Sequence, residues 1–279
     1  MAGAKELMPN AKDIGDEARQ RILLVGPTGS GKSSQIWTLP GRKFAYFLDP
    51  NSVQAVKGLD LDYEQFMPDV LEVDATLKGF NKNSRSDRMP GDLKASKREP
   101  VVYMKWVEDF NSRYEKGFFK TYDWLIIDSL TFLNKATMAR QLYINNRYGD
   151  VEDLADYRVV GSKITEVITS IAGTDINLLV TGHVDTFQDD KTKKIDTQIA
   201  TAGGSKKNLP LVFTNIWLAD TVEGEKGVRY VVRTRPDPKG LKTIRTSLRG
   251  LDDIEDVTIG EFNENSSNYG IGRLLKKGS

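Results

Sequence analysis

A chain of 279 residues with 39% apolar content can bury a substantial core. Its 40 Lys and Arg balance 39 Asp and Glu to a net charge of +1, so no global field points to a nucleic-acid or membrane partner and any basic site must be local. Absent cysteine and a single histidine exclude a disulfide framework and a zinc site built from thiolates or imidazoles; with a polar opening segment and no run of 18 apolar residues, the expectation is a cytoplasmic protein with no membrane partner.

Residues 1–19 are polar and read as an N-terminal arm. Residues 20–26 form an apolar run ending at a glycine, the pattern of a buried strand that feeds a tight turn. Lys32 to Leu39 can make a short helix stopped by Pro40-Gly41, and 43–49 reads as a second buried strand, with a weaker third at 69–73. Residues 76–100 carry seven Lys and Arg among Gly, Ser, Asn and Pro, a composition that predicts a mobile basic surface loop. A helix follows over 102–116, then a strand at 123–128 and a helix over 130–148. The next helix is marked by Tyr157, Val160, Ile164, Val167, Ile168 and Ile171 at three- and four-residue spacing, closed by Gly173. Another buried strand runs 177–183, 185–208 is polar and basic, and two strand-like runs flank the turn-forming 223–227. Residues 251–279 are weakly patterned and read as a C-terminal tail. Strands alternating with helices predict an α/β fold with a mostly parallel sheet flanked by helices and an antiparallel C-terminal extension.

Gly26-Pro27-Thr28-Gly29-Ser30-Gly31-Lys32-Ser33 satisfies the phosphate-loop pattern G-x-x-x-x-G-K-[ST], between a strand and a helix start, with Ser34 completing the cradle. Glycines let backbone N–H groups converge on phosphate oxygens, Lys32 supplies a point charge, and the Ser33 hydroxyl can ligate Mg²⁺. ATP with Mg²⁺ is the implied ligand pair, since no base-recognition motif of the GTPase kind is present. A magnesium shell needs a carboxylate at a neighbouring strand end, and Asp128 in Trp124-Leu125-Ile126-Ile127-Asp128 offers one. Read alone, Asp128 or Ser129 would be an ordinary helix cap.

The order of these parts resembles the RecA-like P-loop ATPases, in particular phage-borne recombinase and single-strand-annealing proteins, over about residues 20–250. The resemblance implies a Mg-dependent ATPase core that assembles head to tail into a homo-oligomeric ring or filament and binds single-stranded DNA, in host cytoplasm if phage-encoded. In that family a strand ends in Asp and is followed two residues later by a water-activating Glu. Here Phe47-Leu48-Asp49-Pro50-Asn51 puts Asn51 at the glutamate position, so either hydrolysis is slow or another acid, Glu64 or Asp49, takes the role. Lys57-Gly58-Leu59-Asp60-Leu61-Asp62 is similar to the family's following segment.

Leu179-Val180-Thr181-Gly182-His183 resembles the family's sensor strand, with His183 as the γ-phosphate sensor; a structural histidine is the other reading. Loop 186–210, with Lys191, Lys193, Lys194, Lys206 and Lys207, resembles the DNA-contacting loop, although such a lysine-rich stretch is also an ordinary solvated surface. Arg233 and Arg235 match two basic residues that reach a neighbour's γ-phosphate across a subunit interface, or else lie on an exposed strand face. Two other functions fit the same loop: a P-loop ATPase acting on a protein or small molecule, and a nucleotide-gated assembly protein with little turnover.

Overall fold

The computed structural model describes residues 19–68, 99–148, 150–188, 195–225, 227–236 and 241–278. The third strand expected at 69–73, nearly all of loop 76–100, and Lys191, Lys193 and Lys194 therefore lie outside the described residues.

The first strand, β1 (Arg21–Val25), leads through the phosphate loop into a 3₁₀ segment, Ser33–Thr38, where a helix was expected; β2 (Lys43–Phe47) follows Pro40-Gly41. A short helix α1 (Ser52–Ala55) and an edge strand β3 (Asp62–Gln65) precede α2 (Val102–Glu115). Then come β4 (Trp124–Asp128), α3 (Leu130–Ile144), α4 (Leu154–Ala172) and β5 (Asn177–Gly182). The polar stretch after β5 contains a two-stranded hairpin, β6 (Val184–Gln188) with β7 (Ile195–Ile199), and the short α5 (Ser205–Asn208). The chain returns as β8 (Asn215–Gly224), turns into β9 (Gly227–Arg233), and adds β10 (Ile254–Asp256) and α6 (Gly270–Lys277).

Eight strands form one sheet in the order β10-β9-β8-β1-β5-β4-β2-β3. The pairs from β8 to β3 are parallel, and β8–β9–β10 is antiparallel, so the mostly parallel α/β sheet with an antiparallel extension is present. Strand side chains alternate between two buried faces, as a sheet covered on both sides requires. Leu23, Leu125, Leu178 and Val180 face α2, α3 and α4 through Trp106, Leu133, Ile164 and Ile168. Ile22, Leu24, Ile126, Leu179 and Trp217 face Ile36 and Trp37 of the 3₁₀ segment and Ile271 and Leu274 of α6.

The stretch read as a weakly patterned tail thus supplies a sheet strand and a helix that packs on one face. Its helix is held by distant side chains: Ile271 N donates to Gln35 Oε1 at 3.0 Å and Gly272 N to Thr38 Oγ1 at 3.0 Å. The start of α4, which the apolar spacing did not locate, is capped by Asp153, which accepts from Ala155 N and Asp156 N at 2.8 and 3.0 Å, and Asp156 accepts in return from Asp153 N.

Candidate functional site

The phosphate loop begins where β1 meets its neighbours. Gly26 N donates to Gly182 O at 3.2 Å, and a Cβ at Gly26 would collide with the Ala219 carbonyl oxygen, so only glycine lets the chain turn against β8. Gly31 carries a φ of +77°, the left-handed region, and a Cβ there would stand 2.8 Å from Tyr230 Cδ1. Lys32 is buried and its ammonium curls over the loop it belongs to, donating to Gly26 O at 3.0 Å and Pro27 O at 2.7 Å. Burial lowers its pKa, while the charges of Asp128 and Asp49 oppose that shift. Lys32, Ser33 and Ser34 thus stand past the C-terminal end of β1, the place where a loop of this kind can meet an anion.

Asp128 ends β4 beside Phe47 of β2 and is almost fully buried. Thr181 Oγ1 donates to its Oδ1 at 2.5 Å, whereas Oδ2 has no partner. Burial pushes this carboxyl's pKa up, and the hydroxyls of Thr181, Ser33 and Ser52 pull it back. Neither Asp128 nor Ser129 acts as a side-chain cap on α3. An orphaned, buried carboxylate oxygen beside serine hydroxyls is a set of hard oxygen donors, the chemistry that Mg²⁺ takes when phosphates complete its shell. Ser33 and Asp128 fit that ion.

Asp49 joins this group from the end of β2: its charge raises the pKa of Lys32, His183 and Asp128 alike. Asn51, at the position expected for a glutamate, is exposed at the start of α1 and makes no side-chain cap. Glu64 sits on the edge strand β3 and is held by Arg113 at 2.9 Å, so among the two acids weighed, Asp49 is the one that faces the loop.

His183 lies between β5 and β6, half-buried, with its backbone N–H donating to Thr131 Oγ1 at 3.0 Å and its Nδ1 3.2 Å from the same hydroxyl. Burial lowers its pKa, the nearby Lys32 ammonium lowers it further, and Asp49 and Asp128 oppose the shift. Its carbonyl accepts from Ala200 N at 2.9 Å, closing the base of the β6–β7 hairpin. Phe187 on that hairpin is 50% exposed, and Lys206 on α5 stands 5.7 Å from its ring. Lys207 is exposed, while Phe213, at the other end of the basic stretch, is buried.

Arg235 is held apart from this group within one chain. Arg233 pairs across β9 with Leu218 and Ile254, and Arg235 lies past the strand end, bonded to Asp253 at 2.9 Å. Sequence reasoning missed Thr181, Thr131, Ser52 and Tyr230, which carry no motif of their own. The strand alternation that buries Thr181 beside Asp128 was the one available signal.

A phosphate loop at the C-terminal edge of a parallel sheet, facing a buried carboxylate on the second strand over, defines a P-loop nucleoside-triphosphate-binding protein. A profile described as the AAA domain matches residues 18–242, and the chain belongs to this family of P-loop ATPases. No curated protein matches the sequence. Among solved structures, the flagellar accessory protein FlaH from Methanocaldococcus jannaschii is similar at 11% identity, over 86% of this chain and 87% of that one, with a TM-score of 0.39. A KaiC-like protein from Pyrococcus horikoshii is similar at 12% identity, over 86% and 85%, with a TM-score of 0.42. Among the described residues no helix is long and apolar enough to cross a membrane.

Proposed function

We propose that this chain binds and hydrolyses ATP with Mg²⁺ and couples nucleotide state to single-stranded DNA binding, as in phage-type recombination, annealing or replication in the cytoplasm. The observation that carries the reading is His183, which stands within electrostatic reach of Lys32 and also closes the base of the β6–β7 hairpin through Ala200. Lys32 and the loop N–H groups hold the β and γ phosphates, and Ser33 and Asp128 hold the metal, which neutralises phosphate charge when bound. Asp49 is the carboxylate that orients water in place of the missing glutamate, and a short aspartate there makes turnover slow. A change at the γ position moves His183 and, one residue later, the hairpin that presents Phe187 beside Lys206. Lysines around the hairpin contact phosphates without reading bases, and Phe187 offers a ring to stack on one. Arg233 and Arg235 act in trans in a head-to-tail homo-oligomer.

The test is the ATPase rate with and without single-stranded DNA at low and moderate salt, with Lys32→Ala as the blank. Stimulation that fades with salt and vanishes in the blank is expected. ATP binding with no turnover and no DNA effect would move the assignment to a nucleotide-gated assembly protein, which the exposed Asn51 at the glutamate position favours. A protein-directed ATPase is favoured by a different feature, an apolar cleft of about 310 Å³ between Leu48, Phe66 and Phe132, beside the end of β2 that carries Asp49.

A further inference from the structure

The geometry points to Tyr230 as the aromatic platform on which the nucleobase rests, an inference that depends on the P-loop binding a nucleoside triphosphate. Groups suited to the γ phosphate and the metal all lie on one side of β1: Thr181 stands near the end of β5 and His183 follows it, Asp128 ends β4, and Asp49 follows β2. A triphosphate is a linear chain, so with its γ end there its nucleoside leaves over the other side of β1, where β8 and β9 stand.

On that side the β8–β9 hairpin rises past the cradle. The last residue of β1, Val25, is in register with Leu218, and β8 continues to Gly224, with Tyr230 of β9 opposite Thr221. The half-buried Tyr230 ring lies against Gly31, occupying the space that any Cβ there would need. Its backbone is tied on both sides: Tyr230 N donates to Thr258 Oγ1 at 3.0 Å and Val257 N donates to Tyr230 O at 2.8 Å. Val257 O in turn accepts from Gln35 Nε2 at 3.0 Å, so the backbone that carries the ring is linked to the 3₁₀ segment that follows Lys32. An aromatic face fixed at this place recognises a flat, polarisable heterocycle by stacking, and a purine offers more overlap than a pyrimidine. The larger groove lined by Trp37 and Phe262 cannot serve, because Gly41, Arg42 and Lys43 put it at the opposite end of the strands.

The experiment compares the Mg²⁺-dependent binding of ATP, UTP and inorganic tripolyphosphate to the full chain, by calorimetry. Tyr230→Leu keeps an apolar group against Gly31 and should bind ATP about tenfold more weakly while holding tripolyphosphate as the wild type does. Tyr230→Phe should match the wild type. If ATP and tripolyphosphate weaken together in Tyr230→Leu, or ATP does not weaken, the platform is not Tyr230. Should Tyr230→Leu fail to fold, the wild type still decides: ATP must bind more tightly than UTP, and equal affinities overturn the assignment. Lys32→Ala separates the two levels, because undiminished binding of ATP and tripolyphosphate to that variant would refute the phosphate site itself.

Discussion

At the scale of single residues, the site holds a buried ammonium whose pKa is lowered by burial and a buried carboxyl whose pKa is raised by it. Lys32 is buried among backbone carbonyls and Asp128 is buried with one oxygen unpartnered, so each lacks what a phosphate or a metal would supply. His183 makes this measurable because it is the sole histidine of the chain. Burial and then Lys32 hold its pKa below the ordinary value, so the imidazole is neutral at neutral pH. The sign follows for stability: the unfolded chain takes up this proton more readily than the folded one, so folding free energy is undiminished at neutral pH and falls as pH drops below about 6.5. A γ phosphate placed near the ring adds negative charge and raises the pKa. Proton NMR of the one imidazole C2–H should therefore titrate below the ordinary midpoint in the apo protein and shift upward with a non-hydrolysable ATP analogue, less with ADP. Identical midpoints for the two nucleotides would remove His183 from the sensing role.

Among elements, local signals were legible and long-range ones were not. The strands β1, β4 and β5 show in the sequence as apolar runs because both of their faces are buried, and α4 shows because its apolar residues recur at helical spacing. The phosphate loop is a contiguous motif, so the site's anchor was readable as well. By contrast β3 is polar at an exposed edge, and α6 is eight residues with glycines at 270 and 272, a poor helix by propensity. It forms because Gln35 and Thr38, more than 200 positions earlier, accept its first N–H groups, and because Gly272 leaves room for the Thr38 carbonyl. The contacts of Thr181 with Asp128 and Tyr230 with Gly31 escaped notice for the same reason: each joins segments whose meeting only the sheet order reveals. If α6 is an integral wall, Leu274→Ala, at a fully buried position, should cost about 2–5 kcal/mol in urea unfolding. A loss below about 1 kcal/mol would mean that the helix is peripheral to the fold.

For the molecule as a whole, a net charge of +1 leaves no long-range field to draw DNA to the surface, so the DNA binding proposed above would have to rest on the hairpin region and on several copies acting together. In the proposed shared site, Arg233, which stands on β9 in register with Leu218 and Ile254, serves the phosphate loop of a neighbouring copy. A head-to-tail contact is heterologous and repeats, placing one subunit's extension against the next subunit's loop. Arg233→Ala should then abolish turnover while leaving ATP affinity close to wild type, and Lys32→Ala should abolish both. Each variant lacks a different half of a shared site. Mixed in equal amounts, the two inactive proteins should regain about a quarter of the wild-type rate, because random neighbours pair an intact loop with an intact arginine in one interface of four. Failure of the mixture to recover any turnover, with both variants folded and still assembling, would place hydrolysis within a single subunit and leave Arg233 as a structural residue of the sheet.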